Sequence, residues 1–238
     1  MTPVNPREHM DMELEKIEQK LLKLGKLAED ALSKAVWALR QKDDNLAVEV
    51  INGDDALDEL ADSIDEDCLK FMARFQPLGV DLRIVSSIIH MSIDLERIGD
   101  YGTNIAKFAL RLSKEKLIKP LIDIPRMEAT IREMVDKALL AFMNRDATLA
   151  EEVCNKDNEI DALEKQIFRE LLILMMENPK NIEQATDLLF VARTLERAGD
   201  HVTNIAERII LIATGKRVRA SELRRKPVEI GRASCRER

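Results

Sequence analysis

The sequence is short of aromatic side chains, with one Trp, one Tyr and six Phe in 238 residues, and it holds only eight Gly and seven Pro. Sandwiches and barrels draw on aromatic residues in their strands and on frequent turn residues between them, so this scarcity argues against a sheet protein. The prolines sit near the two ends and at Pro77, Pro120, Pro125 and Pro179, leaving helix-length gaps. Three cysteines, Cys68, Cys154 and Cys235, show no metal-ligand spacing, which argues against a disulfide framework or a thiolate zinc site and fits a reducing compartment. The longest apolar run, residues 171–176, is far below the roughly 20 residues that span a bilayer. The first residues also lack a signal-peptide layout, so a cytoplasmic location is expected.

What is present is charge, at 34% of the residues, with a net of −7. It is unevenly placed. Residues 215–238 carry nine Lys/Arg against three Glu, a net of +6, which leaves −13 on residues 1–214. An acidic body repels nucleic acid and attracts cations, so no nucleic-acid partner is expected.

The chain repeats itself. Residues 95–107, LERIGDYGTNIAK, return as residues 195–207, LERAGDHVTNIAE, with nine of thirteen positions the same. On a helix, positions i, i+3, i+4, i+7 and i+8 share a face. Glu96, Gly99, Asp100, Thr103 and Asn104 therefore form one polar stripe, and Glu196, Gly199, Asp200, Thr203 and Asn204 form another.

Apolar spacing of three and four predicts a first helix from about His9 to Arg40, after a short lead-in over residues 1–8. A turn at residues 42–45 comes next, where Asp43 or Asp44 can cap a second helix running to about Phe75, with Gly53 as its weak point. Pro77 suits the first turn of a third helix, ending near Ser113 and carrying the motif at its middle. Residues 114–125 read as a linker. The pattern then restarts: a fourth helix to a turn at residues 144–146, a fifth to Glu177, a break at Asn178-Pro179, and a sixth from Ile182 to Thr214 with Gly215 as a left-handed cap. The expected fold is all-α, two tandem antiparallel three-helix bundles over residues 8–118 and 121–215. Residues 216–228 read as a basic, poorly ordered tail. Residues 229–238, EIGRASCRER, resemble the translation of a short-read sequencing adapter (GAG ATC GGA AGA GCG TCG TGT AGG GAA AGA) and are set aside, with Cys235, as an artefact.

Carboxylates at i and i+4 repel unless a cation lies between them. Carboxylate oxygens are hard ligands suited to Mg²⁺, Mn²⁺, Ca²⁺ or iron. One helix supplies too few of them, and the second helix of each half offers more: Asp54 and Asp58 in the first, Asp157 and Asp161 in the second. If the second and third helices pack antiparallel, Asp54, Asp58, Glu96 and Asp100 converge, as do Asp157, Asp161, Glu196 and Asp200, each set with room for more than one ion. Asn104 and Asn204 are either ligands or hydrogen-bonding support behind them. The bland reading is a solvated acidic face, with Gly99 and Gly199 serving only a close helix crossing. Arg97 and Arg197, one step along from the glutamates, point away from the stripe. His201 breaks the symmetry with Tyr101 and reads as a surface residue, His90 as core and His9 as solvated. No Glu-x-x-His pairs, phosphate-cradling loop, Ser-His-Asp set or paired Cys and His is present, so catalysis is not expected.

Two tandem three-helix units, each with E-R-x-G-D-x-x-x-N-I-A on its third helix and D-x-x-x-D on its second, resemble the PhoU family of phosphate-uptake regulators over about residues 8–215. The resemblance implies two bundles side by side and multinuclear metal sites on the eight carboxylates, holding iron or another divalent ion such as Mn, Mg or Zn. It also implies a homodimer that regulates negatively and without catalysis, linking the phosphate ABC transporter to the sensor histidine kinase and reaching the inner face of the membrane only through those partners. The reading from a different class is a helical metal-storage or metal-dependent hydrolytic protein.

Overall fold

The computed structural model describes residues 6–223, and their regular structure is helical throughout. The long helices are α1 (Pro6–Gln41), α3 (Asp54–Phe75), α4 (Val80–Leu112), α5 (Asp123–Asn144), α6 (Ala147–Glu177) and α7 (Ile182–Thr214); α2 (Asp44–Asn52) and α8 (Ala220–Leu223) are shorter. α1, α2, α3 and α4 make one bundle, and α5, α6 and α7 the other.

The repeat extends into the turns. Lys42 and Arg145 both take left-handed backbone, with φ of 58° and 54°. The next residue, Asp43 or Asp146, donates its N–H back to Ala38 O or Ala141 O at 3.0 and 2.9 Å, closing the preceding helix. The same aspartates cap the helices that come after them: Asp43 accepts from Leu46 N, and Asp146 from Thr148 N and Leu149 N. One Asp in each half thus ends one helix and starts another.

Between these matching corners the halves diverge. The second helix, expected to be continuous to Phe75, is two helices that meet at Gly53, whereas α6 runs unbroken through Lys156, the equivalent position. Glycine lowers helix propensity by about 1 kcal/mol, and here it lets the ladder stop and restart. Two other boundaries move. Gln76 is left-handed at φ 47° and Gly79 at φ 60°, so α4 begins at Val80 with Pro77 buried in the loop before it. α5 begins at Asp123 and takes Pro125 into its first turn, where a missing N–H costs nothing. Gly215 closes α7 at φ 74° as the sequence suggests.

The halves do not stand apart. α4 and α7 pack antiparallel along their length, and α1 packs on α5. Along the first seam Arg111 pairs with Asp187 at 2.9 Å, Phe108 stacks on Phe190 at 6.2 Å, and Arg83 donates to Leu211 O at 3.3 Å. A single apolar cluster runs through both bundles, from Leu14 and Leu24 through Leu95 and Ile105 to Val191 and Ile209. The connection between halves is anchored by Leu117, Ile118 and Leu121 against that cluster. The segment expected as a poorly ordered tail is also ordered where it is described: Val218 and Leu223 pack on the core and Ala220 N donates to Glu207 at 2.6 Å. The remainder of that tail and the suspected artefact lie outside the described residues. Among the described residues, no helix is long and apolar enough to cross a membrane.

Candidate metal centre

α4 carries its motif at mid-helix, pressed against α1 and α3. Leu95, Ile98, Ile105 and Ala106 are buried, so the polar stripe between them is held in place. Gly99 makes the approach of α3 possible, since a Cβ there would lie 2.4 Å from Leu57 Cδ1. Gly199 does the same for α6, where a Cβ would meet Ile160 Cδ1 at 2.8 Å and Asp157 Oδ1 at 2.9 Å.

In the first half, Asp54, Asp58 and Asp100 come together, each with a carboxylate oxygen within 4.8 Å of the others. Asp54 and Asp100 are half-buried and Asp58 is exposed. Asp54 stands at the first position of α3 because Gly53 ends α2, and the Thr103 hydroxyl donates to its Oδ1 at 3.0 Å. Desolvation raises the Asp58 carboxyl above its ordinary value, and the charges of Asp54 and Asp100 raise it further. Glu96, half-buried one turn away, is raised by desolvation and by Asp100 against the opposing pull of Arg97. It does not join the group of three, so the expected four-carboxylate set has three converged members with Glu96 at its margin.

The second half is arranged differently. Among the described residues, no three of Asp157, Asp161, Glu196 and Asp200 meet at the same closeness. Asp157 lies within an unbroken helix and is 1% exposed, against Gly199. Glu196 pairs with Arg193 at 3.1 Å through Oε1, while its Oε2 is buried without a hydrogen-bond partner among the described residues. Desolvation raises its carboxyl, and Asp200 adds to the rise. Asp161 is half-buried and Asp200 exposed.

Several side chains depart from expectation. Arg97 turns onto the stripe and binds Asp100 at 3.0 Å, because i and i+3 are neighbours on a helix. His201 is a seam residue: its Nδ1 lies 2.8 Å from Asp94 Oδ1 and its Nε2 3.2 Å from the Tyr101 hydroxyl. The two symmetry-breaking residues therefore pair with each other across the halves. His90 is exposed, because α4 turns that face to a groove beside α7. His9 is half-buried, edge-on to Phe75 at 5.6 Å. Asn104 is exposed with no hydrogen bond to the carboxylates, and Asn204 donates to Asp94 at 3.4 Å on the seam side. The hydroxyl of Thr103 was legible as a repeated position without a role; Asp94, whose counterpart is Thr194, gave no such signal.

Three carboxylates within reach of one point make a donor set for a hard divalent cation, and the charge between them is the reason to want one. Its competitor is the Arg97 guanidinium, already on Asp100.

The PhoU domain model matches residues 21–109 and 124–209, one copy per half. A phosphate-specific transport system accessory protein PhoU homolog from Aquifex aeolicus is 39% identical over 90% of this chain and 97% of its own length. One from Pseudomonas putida is 38% identical over 94% and 88%. Among solved structures, PhoU from Pseudomonas aeruginosa superposes with a TM-score of 0.83 at 37% identity, covering 87% of this chain and 99% of that one. The phosphate transport system regulatory protein PhoU from Streptococcus pneumoniae does so at 0.82 and 34%, covering 88% and 99%.

Proposed function

The chain belongs to the PhoU family, and from that premise we propose that it is an accessory regulator of phosphate transport. It acts without catalysis, as a metal-binding negative regulator that links a phosphate ABC transporter to a sensor histidine kinase. The names of its relatives support the transport role. The observation that carries the metal is the convergence of Asp54, Asp58 and Asp100. These three would hold a divalent ion of iron, Mn, Mg or Zn, with Glu96 beside them, and the ion would neutralise charges that otherwise repel. The second face, on Asp157, Asp161, Glu196 and Asp200, would gather around its ion on binding, using the buried Glu196 Oε2. The protein works as a homodimer in the cytoplasm and reaches the membrane through its partners.

Expression in a bacterium lacking its own family member tests the regulatory role. The chain restores repression of a phosphate-starvation reporter in phosphate-replete medium, and Asp58→Asn with Asp100→Asn does not. An unchanged reporter overturns the reading. Co-purification with the transporter ATPase and with the kinase tests the adaptor role. Turnover of a phosphate ester that disappears in Glu96→Ala would replace the adaptor by a hydrolase.

A further inference from the structure

We propose that the cleft between α1 and the start of α5 binds a nucleoside polyphosphate, its base stacked on Trp37 and its phosphates held by Lys34, Arg40 and Arg132. The cleft encloses about 370 Å³, a size suited to a small ligand, and Pro125 and Glu128 also line it. Trp37 is the chain's single tryptophan and is 53% exposed. Leaving so large a ring in water forgoes the burial that usually keeps indoles in cores.

The charges around it run against those of the molecule. Arg40 sits with Cζ 6.0 Å from the indole centroid, and neither it nor Arg132 has a carboxylate partner among the described residues. Lys34 shares its charge with Glu49 at 2.9 Å. The acid in the lining, Glu128, accepts the Ser33 hydroxyl. A local excess of cations on a chain of net −7 attracts an anion.

The repeat supplies an internal control. The corners at Lys42-Asp43 and Arg145-Asp146 correspond, so Trp37 and Arg40 fall where the second half has Leu140 and Met143. The fold at this position asks for neither an indole nor a guanidinium. A free phosphate would use the cations and leave the ring idle, and an apolar ligand would do the reverse. A nucleotide uses both, by base stacking and by charge-assisted hydrogen bonds to phosphate. This inference is independent of the regulatory reading and of the carboxylate cluster.

Because Trp37 is alone, the intrinsic fluorescence of the full chain reports on this cleft. Titration with ATP in metal-free buffer is expected to give saturable quenching that weakens several-fold at high salt. Arg40→Ala with Arg132→Ala weakens binding by about tenfold or more. By calorimetry, tripolyphosphate binds the wild-type chain roughly tenfold more weakly than ATP, and Trp37→Leu, which installs the residue of the other half, loses about tenfold in ATP affinity. Thermal melts confirm that the variants are folded. No saturable response to ATP at about millimolar concentration overturns the proposal. So does equal affinity for ATP and tripolyphosphate, or undiminished binding by the double arginine variant.

Discussion

The Thr103 hydroxyl donates to Asp54 Oδ1 across 3.0 Å, while Thr203, its partner in the repeat, is buried with no hydrogen-bond partner among the described residues. The motifs are the same at this position, and the difference comes from the facing helix. α3 starts at Asp54 behind Gly53, which brings the carboxylate to the hydroxyl; α6 continues through Lys156 and carries Asp157 elsewhere.

Removing each hydroxyl should therefore have unequal effects. Thr103→Val takes a hydrogen bond from a half-buried carboxylate and is expected to cost about 1 kcal/mol in urea unfolding. Thr203→Val removes an unsatisfied polar atom and is expected to be neutral or stabilising. Equal losses in the two variants would show that the two facing helices are equivalent after all.

The ion proposed for the carboxylate cluster can be tested through Asp58. Its carboxyl titrates above its unfolded value, so its contribution to stability is full below that value and is lost as pH rises through the raised one. The ion-free protein is thus penalised at neutral pH. Adding Mn²⁺ should raise the melting temperature by a few degrees at neutral pH and by much less near the carboxylate range. Asp58→Asn should raise the ion-free melting temperature slightly and abolish the response to Mn²⁺. Calorimetric scans with and without the ion read both.

Two glycines make opposite predictions. A Cβ at Gly102 would lie 2.9 Å from Ala31 C and 3.0 Å from Leu32 N, backbone that a buried helix cannot move cheaply. Gly102→Ala is expected to cost about 1–3 kcal/mol. At Gly53 the backbone is helical, with φ −82°, and a Cβ would meet nothing closer than 3.4 Å. Gly53→Ala should stabilise by about 0.4–1 kcal/mol, join α2 to α3 and weaken ion binding by displacing Asp54. Urea melts and Mn²⁺ titration check both.

His90 gives a pH signature remote from the cluster. Desolvation in its groove and the nearby cations Arg208 and Arg217 hold its pKa below the ordinary value, against the pull of Asp94. The neutral imidazole is therefore favoured by folding. Its contribution is present above the unfolded pKa and fades as pH falls through the lowered one. An NMR titration should place the His90 midpoint below 6.5. Arg208→Ala should move it upward, and an unmoved midpoint would remove that cation as a cause.

Helix content, the doubled unit, a cap at Asp43 or Asp44 and the Gly215 cap were legible in the sequence, because each rests on spacing or on one residue's local preference, whereas residues 144–146 read only as a turn and the cap at Asp146 came from the structure. The candidate ligands were legible as well, since repetition separates Glu96, Asp100, Glu196 and Asp200 from ordinary acidic helix. Boundaries at Pro77 and Pro125 were not, because a proline fits the loop before a helix as well as its first turn.

By itself the sequence determined that this chain folds as two copies of one helical unit with acidic stripes on matched helices, since hydrophobic period and capping are local properties. Only the tertiary structure decided how the copies differ. It joined them through α4 and α7 around one core, paired His201 with Tyr101 and Asp94, and drew Asp54, Asp58 and Asp100 together while leaving their counterparts apart. The physical reason is that convergence depends on where the facing helix starts, which Gly53 sets in the first half alone, and on how closely it packs, which Gly99 and Gly199 permit in each half.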